Sequence, residues 1–392
     1  MAFKIFLSPP NMYGKEQKYV QEAFDTNWIA PYGPQITEFE NEMAQYIGQD
    51  AAIACTSGTA AIHLALRWYG VGPGDLVFCS DFTFIGTCNP VLYQGAIPVF
   101  IDSEEDSWNM SPVALEKAFL WAQEQGKMPK AVIIVDLYGE SADWDRLLPI
   151  CQKYGVPVIE DAAEAVGSTY KGKKCGSFGE INILSFNGNK ILTTSGGGMA
   201  LSNNVQAIDK MRFWATQARE PVIWYEHKEY GYNYRLSNVC AAIGRGQLDA
   251  IDQKLGSRAK IHQRYVDGLK ELPVKIKESK YPGANYWLSL LIIQDETIHP
   301  TQVVAALQNA QIESRPAWKP LHMQPIFKNA TFFAHDDETP VSEKVFQRAL
   351  CLPSGDGMTE EQQNEVIAEV IKAFRDGSTL EKRELRLPIY ND

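Results

Sequence analysis

Cysteine pairs at metal-binding spacing are missing from this chain of 392 residues. Its seven cysteines lie at irregular intervals without a CxxC pair, and its six histidines show no metal-ligand spacing. An odd, irregular set of cysteines predicts neither a disulfide framework nor a zinc site. We therefore expect buried thiols in a reducing compartment and no bound metal.

Long hydrophobic runs are missing too. No stretch approaches the ~20 apolar residues that a membrane span needs. The opening MAFKIFLSPP is interrupted by Pro9 and Pro10 before it could form the apolar region of a signal peptide. We expect a cytoplasmic protein without a membrane partner.

An excess of positive charge is also absent. The net charge is −11 and the pI is near 5.2, which argues against nucleic acid or an anionic membrane as the main partner. A phosphate ligand remains compatible with this charge, because a local site can be basic on an acidic protein. Hydrophobic residues make up 45% of the chain and charged residues 22%, as in ordinary soluble globular proteins.

Short apolar segments alternate with amphipathic ones from residue 51 onwards. AAIACTS, DLVFCS, IPVFID, KAVIIVDLYG and PVIEDA are typical of buried strands, whereas GTAAIHLALRWYG and DWDRLLPICQKYG are typical of helices. Ser111 and Pro112 predict the start of a further helix. Apolar strands separated by helices indicate a mostly parallel sheet covered on both faces. The predicted fold class is therefore α/β, with ligands at the carboxyl ends of the strands.

The chain is long enough for two domains, and we expect them to divide near residue 250. Residues 1–250 would form a large domain with an N-terminal arm. Residues 251–392 would form a smaller C-terminal α+β domain.

Three features are predicted for the C-terminal helices. A continuous helix is expected over about 239–270, and Thr301 is expected to cap the helix TQVVAALQNA. Thr359 and Gln362 form a capping-box pattern for the last helix. The polar tail from about residue 376 is expected to lie on the surface or on a neighbouring subunit.

The stretch 157–199 carries an acid and a lysine that together indicate a cofactor site. Asp161 ends the apolar strand PVIEDA, and Lys190 lies in a tight polar turn within SFNGNKILTTSGGGM. Enzymes that use pyridoxal phosphate need such a pair, because the lysine forms a Schiff base and the acid keeps a proton on the pyridine nitrogen. The alternative for Asp161 is an acid that simply favours a helix N-terminus. One of the acids in EDAAE is expected to be merely solvated.

Other residues at predicted strand ends could complete this site. Gly58 and Thr59 stand where a strand gives way to a helix, a position that suits a phosphate, although ordinary helix capping explains them as well. Phe84 could stack on a flat ring or pack in the core. Glu164, one turn after the acid of the pair, could reach a ring hydroxyl, and Ser185 could donate to the phosphate.

Two later segments group cationic, aromatic and amide side chains. NYRLSN combines Arg235 with Asn238, and an arginine there suits a carboxylate or a phosphate, whereas Asn238 could instead be a helix cap. RPAWKPLH groups Arg315, Trp318, Lys319 and His322 with two prolines. Such a loop suits a nucleotide diphosphate, and a rigid surface loop is an equally good interpretation.

With GTAA, FTF, EDAAE, GNK, GGGM and NYRLSN in this order, the chain resembles the DegT/DnrJ-type nucleotide-sugar aminotransferases. That family has the fold type I of pyridoxal phosphate enzymes, and the resemblance covers essentially the whole chain. It implies a three-layer large domain with a mostly parallel mixed sheet and a smaller C-terminal α+β domain. It also implies a homodimer with a shared active site.

The resemblance implies roles for individual residues. Lys190 would form the Schiff base and Asp161 would pair with the pyridine nitrogen, while Phe84 and Ala163 would lie on the two faces of the ring. The other implied cofactor contacts are Gly58, Thr59 and Ser185 at the phosphate, Glu164 at the ring hydroxyl, and Asn238 reaching the phosphate from the partner subunit. Many family members carry Gln or His where Glu164 stands.

Segments such as SPPNMYGKE, TQARE and RPAWKPLHMQPIF are most similar to the PglE-type branch of this family. This similarity implies transfer of the amino group of L-glutamate to C4 of a UDP-linked 4-keto-6-deoxy-N-acetylhexosamine. The product would be UDP-4-amino-4,6-dideoxy-N-acetyl-D-glucosamine, in the N-acetylbacillosamine pathway. Candidate substrate contacts are Asn187, Arg219, Tyr232, Arg235, Trp318 and His322.

Three alternatives remain open at this stage. The acceptor could be another ketosugar, linked to TDP or GDP. The reaction could be a dehydration, although the presence of Lys190 argues against the dehydratases that replace this lysine with histidine. The chain could also bind pyridoxal phosphate without catalysis, but both Lys190 and Asp161 are present and no DNA-binding segment is seen.

Overall fold

The computed structural model of the protein describes residues 3–375. Its strands, numbered in chain order, are β1 (Ala51–Cys55), β2 (Leu76–Ser80), β3 (Ile97–Ile101), β4 (Ala131–Val135), β5 (Val158–Asp161), β6 (Thr169–Tyr170), β7 (Lys173–Lys174), β8 (Ile181–Ser185), β9 (Gly198–Ser202), β10 (Val274–Ile276), β11 (Ser289–Ile293), β12 (Arg315–Pro316), β13 (Thr331–Phe333) and β14 (Ala349–Leu352).

The α-helices of the described residues are α1 (Lys15–Asp25), α2 (Pro34–Ile47), α3 (Gly58–Trp68), α4 (Asn89–Tyr93), α5 (Pro112–Glu124), α6 (Trp144–Tyr154), α7 (Val205–Ala215), α8 (Asn238–Asp249), α9 (Ile251–Leu269), α10 (Pro300–Asn309), α11 (Val341–Arg348) and α12 (Glu360–Arg375). Short 3₁₀ turns lie between some of these elements.

Two sheets organise the described chain. The larger has eight strands in the order β1-β9-β8-β5-β4-β2-β3-β13. Within it β9 is antiparallel to both neighbours, and every other pair is parallel. The smaller sheet, β10-β11-β14-β12, is antiparallel throughout. The predicted mostly parallel α/β fold is confirmed.

Helices cover both faces of the large sheet because alternate strand residues point to opposite sides. Val77 and Ile133 belong to a buried core shared with α3 and α7. Phe78 and Val132, their neighbours in sequence, belong to a second core shared with α5 and α6. Strands that are apolar on both faces therefore form the middle layer of three, as expected for a parallel sheet.

Local signals place several helix ends correctly. The hydroxyl oxygen of Ser111 accepts a hydrogen bond from the Ala114 N–H at 3.1 Å, so Ser111 caps α5 as predicted. Thr359 and Gln362 exchange hydrogen bonds of 3.0 and 3.2 Å, which confirms the predicted capping box. The prediction that Thr301 caps α10 is wrong, because this helix begins at Pro300 and is capped by His299.

The predicted continuous helix over about 239–270 is two helices. Ala250 ends α8 and precedes α9. The division of the chain at residue 250 stays a prediction, and one strand beyond it, β13, joins the edge of the large sheet beside β3. The tail from residue 376 lies outside the described residues. Among residues 3–375, no helix combines the length and the apolar character needed to span a membrane.

Candidate active site

A cavity of about 320 Å³ lies at the carboxyl ends of the central strands. Asp161 ends β5, and Lys190 lies in the turn after β8, the parallel neighbour of β5, so sheet topology brings the two together. The predicted residues that line this cavity are Gly58, Thr59, Phe84, Asp161, Ala163, Glu164, Ser185, Asn187, Lys190 and Trp318. Those outside its lining are Arg219, Tyr232, Arg235, Asn238 and His322.

The first turn of α3 forms one end of the cavity. The hydroxyl oxygen of Ser57 accepts the Ala60 N–H at 3.0 Å and so caps the helix. A Cβ on Gly198 would lie 2.2 Å from the backbone nitrogen of Gly58, so β9 approaches this helix start as only glycine permits. A helix N-terminus with the Thr59 and Ser185 hydroxyls in the same lining could hold a phosphate.

Asp161 is buried in the cavity wall with both carboxylate oxygens bonded. The Thr87 hydroxyl donates to Oδ2 at 2.7 Å, and the Ala163 N–H donates to Oδ1 at 3.2 Å. Burial raises the pKa of this carboxyl above its usual range, against the opposing effects of these two hydrogen bonds and of the Lys190 charge. A buried carboxylate of this kind is well suited to pairing with a cationic ring nitrogen.

Lys190 extends between an acid and an aromatic face. Its Nζ lies 3.4 Å from Oε1 of Glu164 and 3.9 Å from the centre of the Trp287 ring. The other carboxylate oxygen of Glu164 accepts the Tyr138 N–H at 2.8 Å. Burial raises the pKa of Glu164, and the charge of Lys190 opposes that rise. The amine is therefore held inside the cavity by a charge contact and a cation–π contact.

The acids of EDAAE are all buried, so the expectation that one of them is solvated is wrong. Glu160 points away from the cavity and accepts the Phe178 N–H at 2.6 Å, with further bonds from Gly176 and Gly179. Burial raises its pKa as it does for Asp161. Glu160 therefore has a structural position, in which it satisfies the backbone of the loop between β7 and β8.

Phe84 and Trp318 line the cavity, and the buried ring of Tyr138 supports Trp318 from behind. The Phe84 ring is 55% exposed and lies 5.7 Å from the ring of Trp318. Trp318 stacks on Tyr138 at 5.9 Å, with the ring planes 5° apart, and its backbone N–H donates to the Tyr138 hydroxyl at 2.8 Å. An open Phe84 face at the mouth of the cavity can stack on a planar ligand.

These residues fit pyridoxal phosphate. The lining combines a helix N-terminus for the phosphate, a buried carboxylate for the ring nitrogen, an aromatic face for the ring, and a lysine amine for the aldehyde. The chain's own residues thus offer each group that the cofactor requires.

Arg235 has a structural partner instead of a free guanidinium. Its Nη1 contacts Oε1 of Glu40, and Nη1 of Arg212 lies 2.6 Å from the other oxygen of that carboxylate. Glu40 also accepts the Ala54 N–H at 2.6 Å. Within this chain Arg235 therefore ties the NYRLSN segment to α2 and β1, and it does not reach the cavity.

Asn238 is fully buried at the start of α8. Its Oδ1 accepts the Ile36 N–H at 3.1 Å, and its Nδ2 donates to the carbonyl oxygen of Trp28 at 2.7 Å. Both ends of this amide are thus used to hold the loop that leads into α2. The predicted contact of Asn238 with a partner's phosphate stays a prediction, and the side chain of Asn233 in the same segment is exposed.

His322 lies between two carboxylates of the described chain. Its Nδ1 is 2.8 Å from Asp81 and its Nε2 is 3.0 Å from Glu343, so both ring nitrogens are used. Burial alone would lower the pKa of His322, but the hydrogen bonds and charges of Asp81 and Glu343 outweigh it and raise the pKa above its ordinary value. His322 therefore anchors the loop that carries Trp318 to β2 and α11.

Arg219 and Tyr232 lie on the segment between α7 and α8. The Arg219 guanidinium is exposed and rests 4.3 Å over the ring of Tyr225. Tyr232 is stacked on Tyr234 at 4.7 Å, with the ring of His63 4.8 Å away. Neither residue lines the cavity of the described chain.

Sequence reasoning missed Thr87, Tyr138 and Trp287. Thr87 is the hydroxyl donor to Asp161, Tyr138 supports both Glu164 and Trp318, and Trp287 faces Lys190. The one available signal was the polar segment after β2, where Thr87 follows Thr83 by one helical turn. Tyr138 and Trp287 carry no local pattern that distinguishes them from ordinary core aromatics.

Comparisons with known proteins agree with this site. The DegT/DnrJ/EryC1/StrS aminotransferase family matches residues 10–371. The putative pyridoxal phosphate-dependent aminotransferase EpsN of Bacillus subtilis is 52% identical over 376 residues, which cover 95% of this chain and 97% of EpsN. The GDP-perosamine synthase of Caulobacter vibrioides is 37% identical, with 93% and 97% of the two chains covered.

A solved structure shares the whole fold. The crystal structure of a DegT DnrJ EryC1 StrS aminotransferase from Brucella abortus has a TM-score of 0.84 and 30% identity, and the match covers 92% of this chain and 95% of that one. The match over nearly all of the chain includes each segment that lines the cavity. The chain therefore belongs to the DegT/DnrJ/EryC1/StrS family of pyridoxal-phosphate-dependent aminotransferases.

Proposed function

We propose that this enzyme transfers the amino group of L-glutamate to C4 of a UDP-linked 4-keto-6-deoxy-N-acetylhexosamine. One observation carries the transamination: the Lys190 amine, Glu164 and the buried Asp161 line one cavity at the strand ends. The similarity to EpsN supports the cofactor, and that to the GDP-perosamine synthases supports a nucleotide-sugar acceptor.

Each residue has a task that follows from its surroundings. Bound pyridoxal phosphate would supply an electron sink for the bonds broken at the amino donor. Asp161 would keep the ring nitrogen protonated, since a carboxylate favours a cation beside it. Lys190 Nζ would take the proton from Cα of L-glutamate as general base and return a proton to C4 of the sugar as general acid.

Phe84 and Ala163 would hold the two faces of the ring, and Glu164 would contact its hydroxyl. Trp318 is proposed to contact the nucleotide sugar. Its indole nitrogen is buried and has no hydrogen-bond partner within the described residues. A buried donor left unbonded costs about 1–3 kcal/mol, so a ligand oxygen at that position would be favourable.

The substrates require positive charge that one chain does not supply to the cavity. Lys190 is the only cation among the described lining residues, whereas L-glutamate and a nucleoside diphosphate each carry at least two negative charges. We therefore propose a homodimer in which the partner completes the site. The segment between α7 and α8 supports this, because it presents exposed Arg219, Ile223, Trp224 and Tyr225, with Ile223 94% exposed.

A second acceptor class has an observation in its favour. Three GDP-perosamine synthases are 34–37% identical to this chain over at least 90% of its length. A GDP-linked 4-ketosugar is therefore the alternative acceptor. Parallel assays with UDP-, GDP- and TDP-linked 4-ketosugars decide between them.

The first test follows the visible absorbance of the purified protein loaded with pyridoxal phosphate. The band should disappear when L-glutamate is added, and a 4-ketosugar should then restore it. In Lys190→Ala the glutamate-dependent change should slow by at least about 10²–10⁴-fold, the usual contribution of a general acid–base. Lys127→Ala changes an exposed lysine just after α5; it serves as the control and should behave as wild type. Undiminished turnover in Lys190→Ala would contradict the proposal.

A further inference from the structure

The backbone carbonyl just before Lys190 accepts two hydrogen bonds from distant parts of the chain. The Ser8 hydroxyl donates to the Asn189 oxygen at 2.8 Å, and the indole nitrogen of Trp287 donates to the same oxygen at 2.7 Å. Ser8 and Trp287 are both buried. The peptide unit that joins Asn189 to Lys190 is therefore fixed from two sides.

The turn is closed by a backbone hydrogen bond from the Lys190 N–H to the Asn187 carbonyl oxygen at 3.0 Å, but its tip is not buried. Asn187 and Asn189 at its tip are exposed, and their side-chain amides bond to each other at 3.3 Å. An exposed turn with few buried contacts is normally mobile. The two hydrogen bonds to the Asn189 carbonyl therefore restrain a turn whose tip is not buried.

The two donors are themselves held by one buried arginine. Arg258 in α9 donates to the Trp287 carbonyl at 2.7 Å and to the Ser8 hydroxyl at 3.3 Å. Asp356 balances its charge, with Nη2 to Oδ1 at 3.0 Å. Arg258 and Asp356 are each 1% exposed, so this support is rigid and sheltered from solvent.

Trp287 also contacts the far end of the same lysine. Lys190 Nζ lies 3.9 Å from the centre of its ring, while the indole N–H holds the backbone before Lys190. One side chain thus restrains both the start and the end of Lys190. That geometry limits where the amine can go.

We propose that Ser8 and Trp287 are positioning residues that hold the Asn189 carbonyl so that the Lys190 amine meets the cofactor aldehyde. This inference rests on the proposed role of Lys190. In that step the amine nitrogen forms a C=N bond to the aldehyde carbon and one water leaves. The step requires the amine nitrogen to approach the carbonyl carbon closely, which a loosely held turn would achieve only part of the time.

Two forms of the cofactor separate positioning from general structure. Pyridoxal phosphate has the aldehyde and bonds to Lys190, whereas pyridoxamine phosphate has an amine and binds without that bond. Loss of a hydrogen bond to the Asn189 carbonyl should weaken the binding of pyridoxal phosphate and leave the binding of pyridoxamine phosphate unchanged. Damage to the phosphate or ring contacts would weaken both alike.

The experiment measures the dissociation constants of both cofactors for the full-length, cofactor-free protein. Ser8→Ala removes one donor, and Trp287→Phe removes the other while keeping an aromatic face for Lys190. We expect each variant to lose about twofold to tenfold in affinity for pyridoxal phosphate, the range for one hydrogen bond, with pyridoxamine phosphate unaffected. The double variant should lose more than either single one.

Asn11→Ala is the matched control on the same N-terminal segment. It removes a 3.1 Å bond to Asp356 without touching Asn189, and both cofactors should bind it as they bind the wild type. Equal losses for both cofactors in Ser8→Ala and Trp287→Phe, or no loss in either variant, would overturn the inference. Lys190→Ala tests the foundation separately: if it still prefers the aldehyde as strongly as wild type, the proposed role of Lys190 fails, and the inference fails with it.

Discussion

Replacing Asp161 with asparagine should have opposite effects on the cofactor-free and the cofactor-loaded protein. The substitution keeps the shape of the side chain and removes its charge. The Thr87 hydroxyl, which now donates to Oδ2 at 2.7 Å, can accept from the new amide instead, since it also lies 3.1 Å from the Thr83 hydroxyl. The change therefore isolates the charge.

In the cofactor-free chain the charge of Asp161 opposes folding. Burial raises the pKa of this carboxyl, so the folded state favours its protonated form. The resulting stabilisation is fully present below the unfolded pKa of about 3.9, and it is lost as the pH rises through the raised folded pKa. At pH 7 the ionised group is thus unfavourable. Asp161→Asn should raise the free energy of unfolding by about 1.4 kcal/mol for each unit by which the pKa is raised.

In the loaded protein the same charge becomes favourable. An opposite charge within contact distance shifts a pKa by about 1–3 units, which corresponds to about 1.4–4 kcal/mol of pairing with the protonated ring nitrogen. Asp161→Asn should therefore lower affinity for pyridoxal phosphate about tenfold to a thousandfold. Loss of one charge aimed at the reacting system should slow transamination a further ~10²–10³-fold.

The assay is urea unfolding at pH 7 with and without saturating pyridoxal phosphate, for wild type and Asp161→Asn. The variant should be at least as stable as wild type without the cofactor and less stable with it. Thr87→Val, which removes the hydroxyl donor and keeps the charge, is the control. A cofactor-free Asp161→Asn protein that is markedly less stable than wild type would refute the electrostatic argument. Unchanged cofactor affinity would refute the pairing with the ring nitrogen.

Two further variants test charge clusters outside the cavity. His322 should stabilise the fold fully below its ordinary pKa of about 6.5, and this contribution should fade as the pH rises through its raised folded pKa. Between pH 6 and 9 the free energy of unfolding should therefore fall more in wild type than in His322→Gln. The difference should be about 1.4 kcal/mol per unit by which the pKa is raised. The same dependence of the unfolding free energy on pH in both proteins would contradict this. Asp356→Asn should cost about 3–5 kcal/mol at pH 7, because it leaves Lys254 and Arg258 buried without a counter-ion. Urea midpoints within error of wild type would exclude that loss.

The cofactor pair was predictable because its geometry follows from local topology. Asp161 ends one strand and Lys190 follows its parallel neighbour, and parallel neighbours have their carboxyl ends at the same edge of the sheet. Gly58 and Phe84 follow the carboxyl ends of β1 and β2, which lie at the same edge of the sheet.

Predicted substrate contacts depended on facts that a local pattern does not contain. Arg235 and His322 were chosen as cations near family motifs, but the carboxylates that pair with them come from α2, β2 and α11. These partners are far from Arg235 and His322 in sequence, so composition alone cannot show that the charges are already used. Asn238 was predicted to contact the cofactor phosphate of a partner subunit, which stays a prediction; within its own chain it holds the loop before α2.

The sequence did not predict the roles of Ser8, Trp287 and Arg258, for a related reason. Each is an ordinary residue in its own segment. Ser8 and Trp287 donate to the Asn189 carbonyl, a backbone group that no residue type marks in the sequence, and Arg258 contacts only those two donors and their surroundings. The break at Ala250 was also missed, because the residues around it are compatible with a continuous helix. Tertiary contacts decide such features, and they overrule local propensity.

Some arginines are paired with buried carboxylates and others are exposed. This difference indicates which of them can bind a substrate. Arg235 shares a buried carboxylate with a second arginine, and Arg258 pairs with Asp356 in the interior. Removing either from its partner would leave a buried charge at a cost of about 3–5 kcal/mol. Arg219 differs, since it is exposed and its contact with the Tyr225 ring is worth about 0.5–1 kcal/mol. A diphosphate or carboxylate can replace that contact at little cost, so in the homodimer that we propose Arg219 is a better candidate for a substrate contact than the paired arginines.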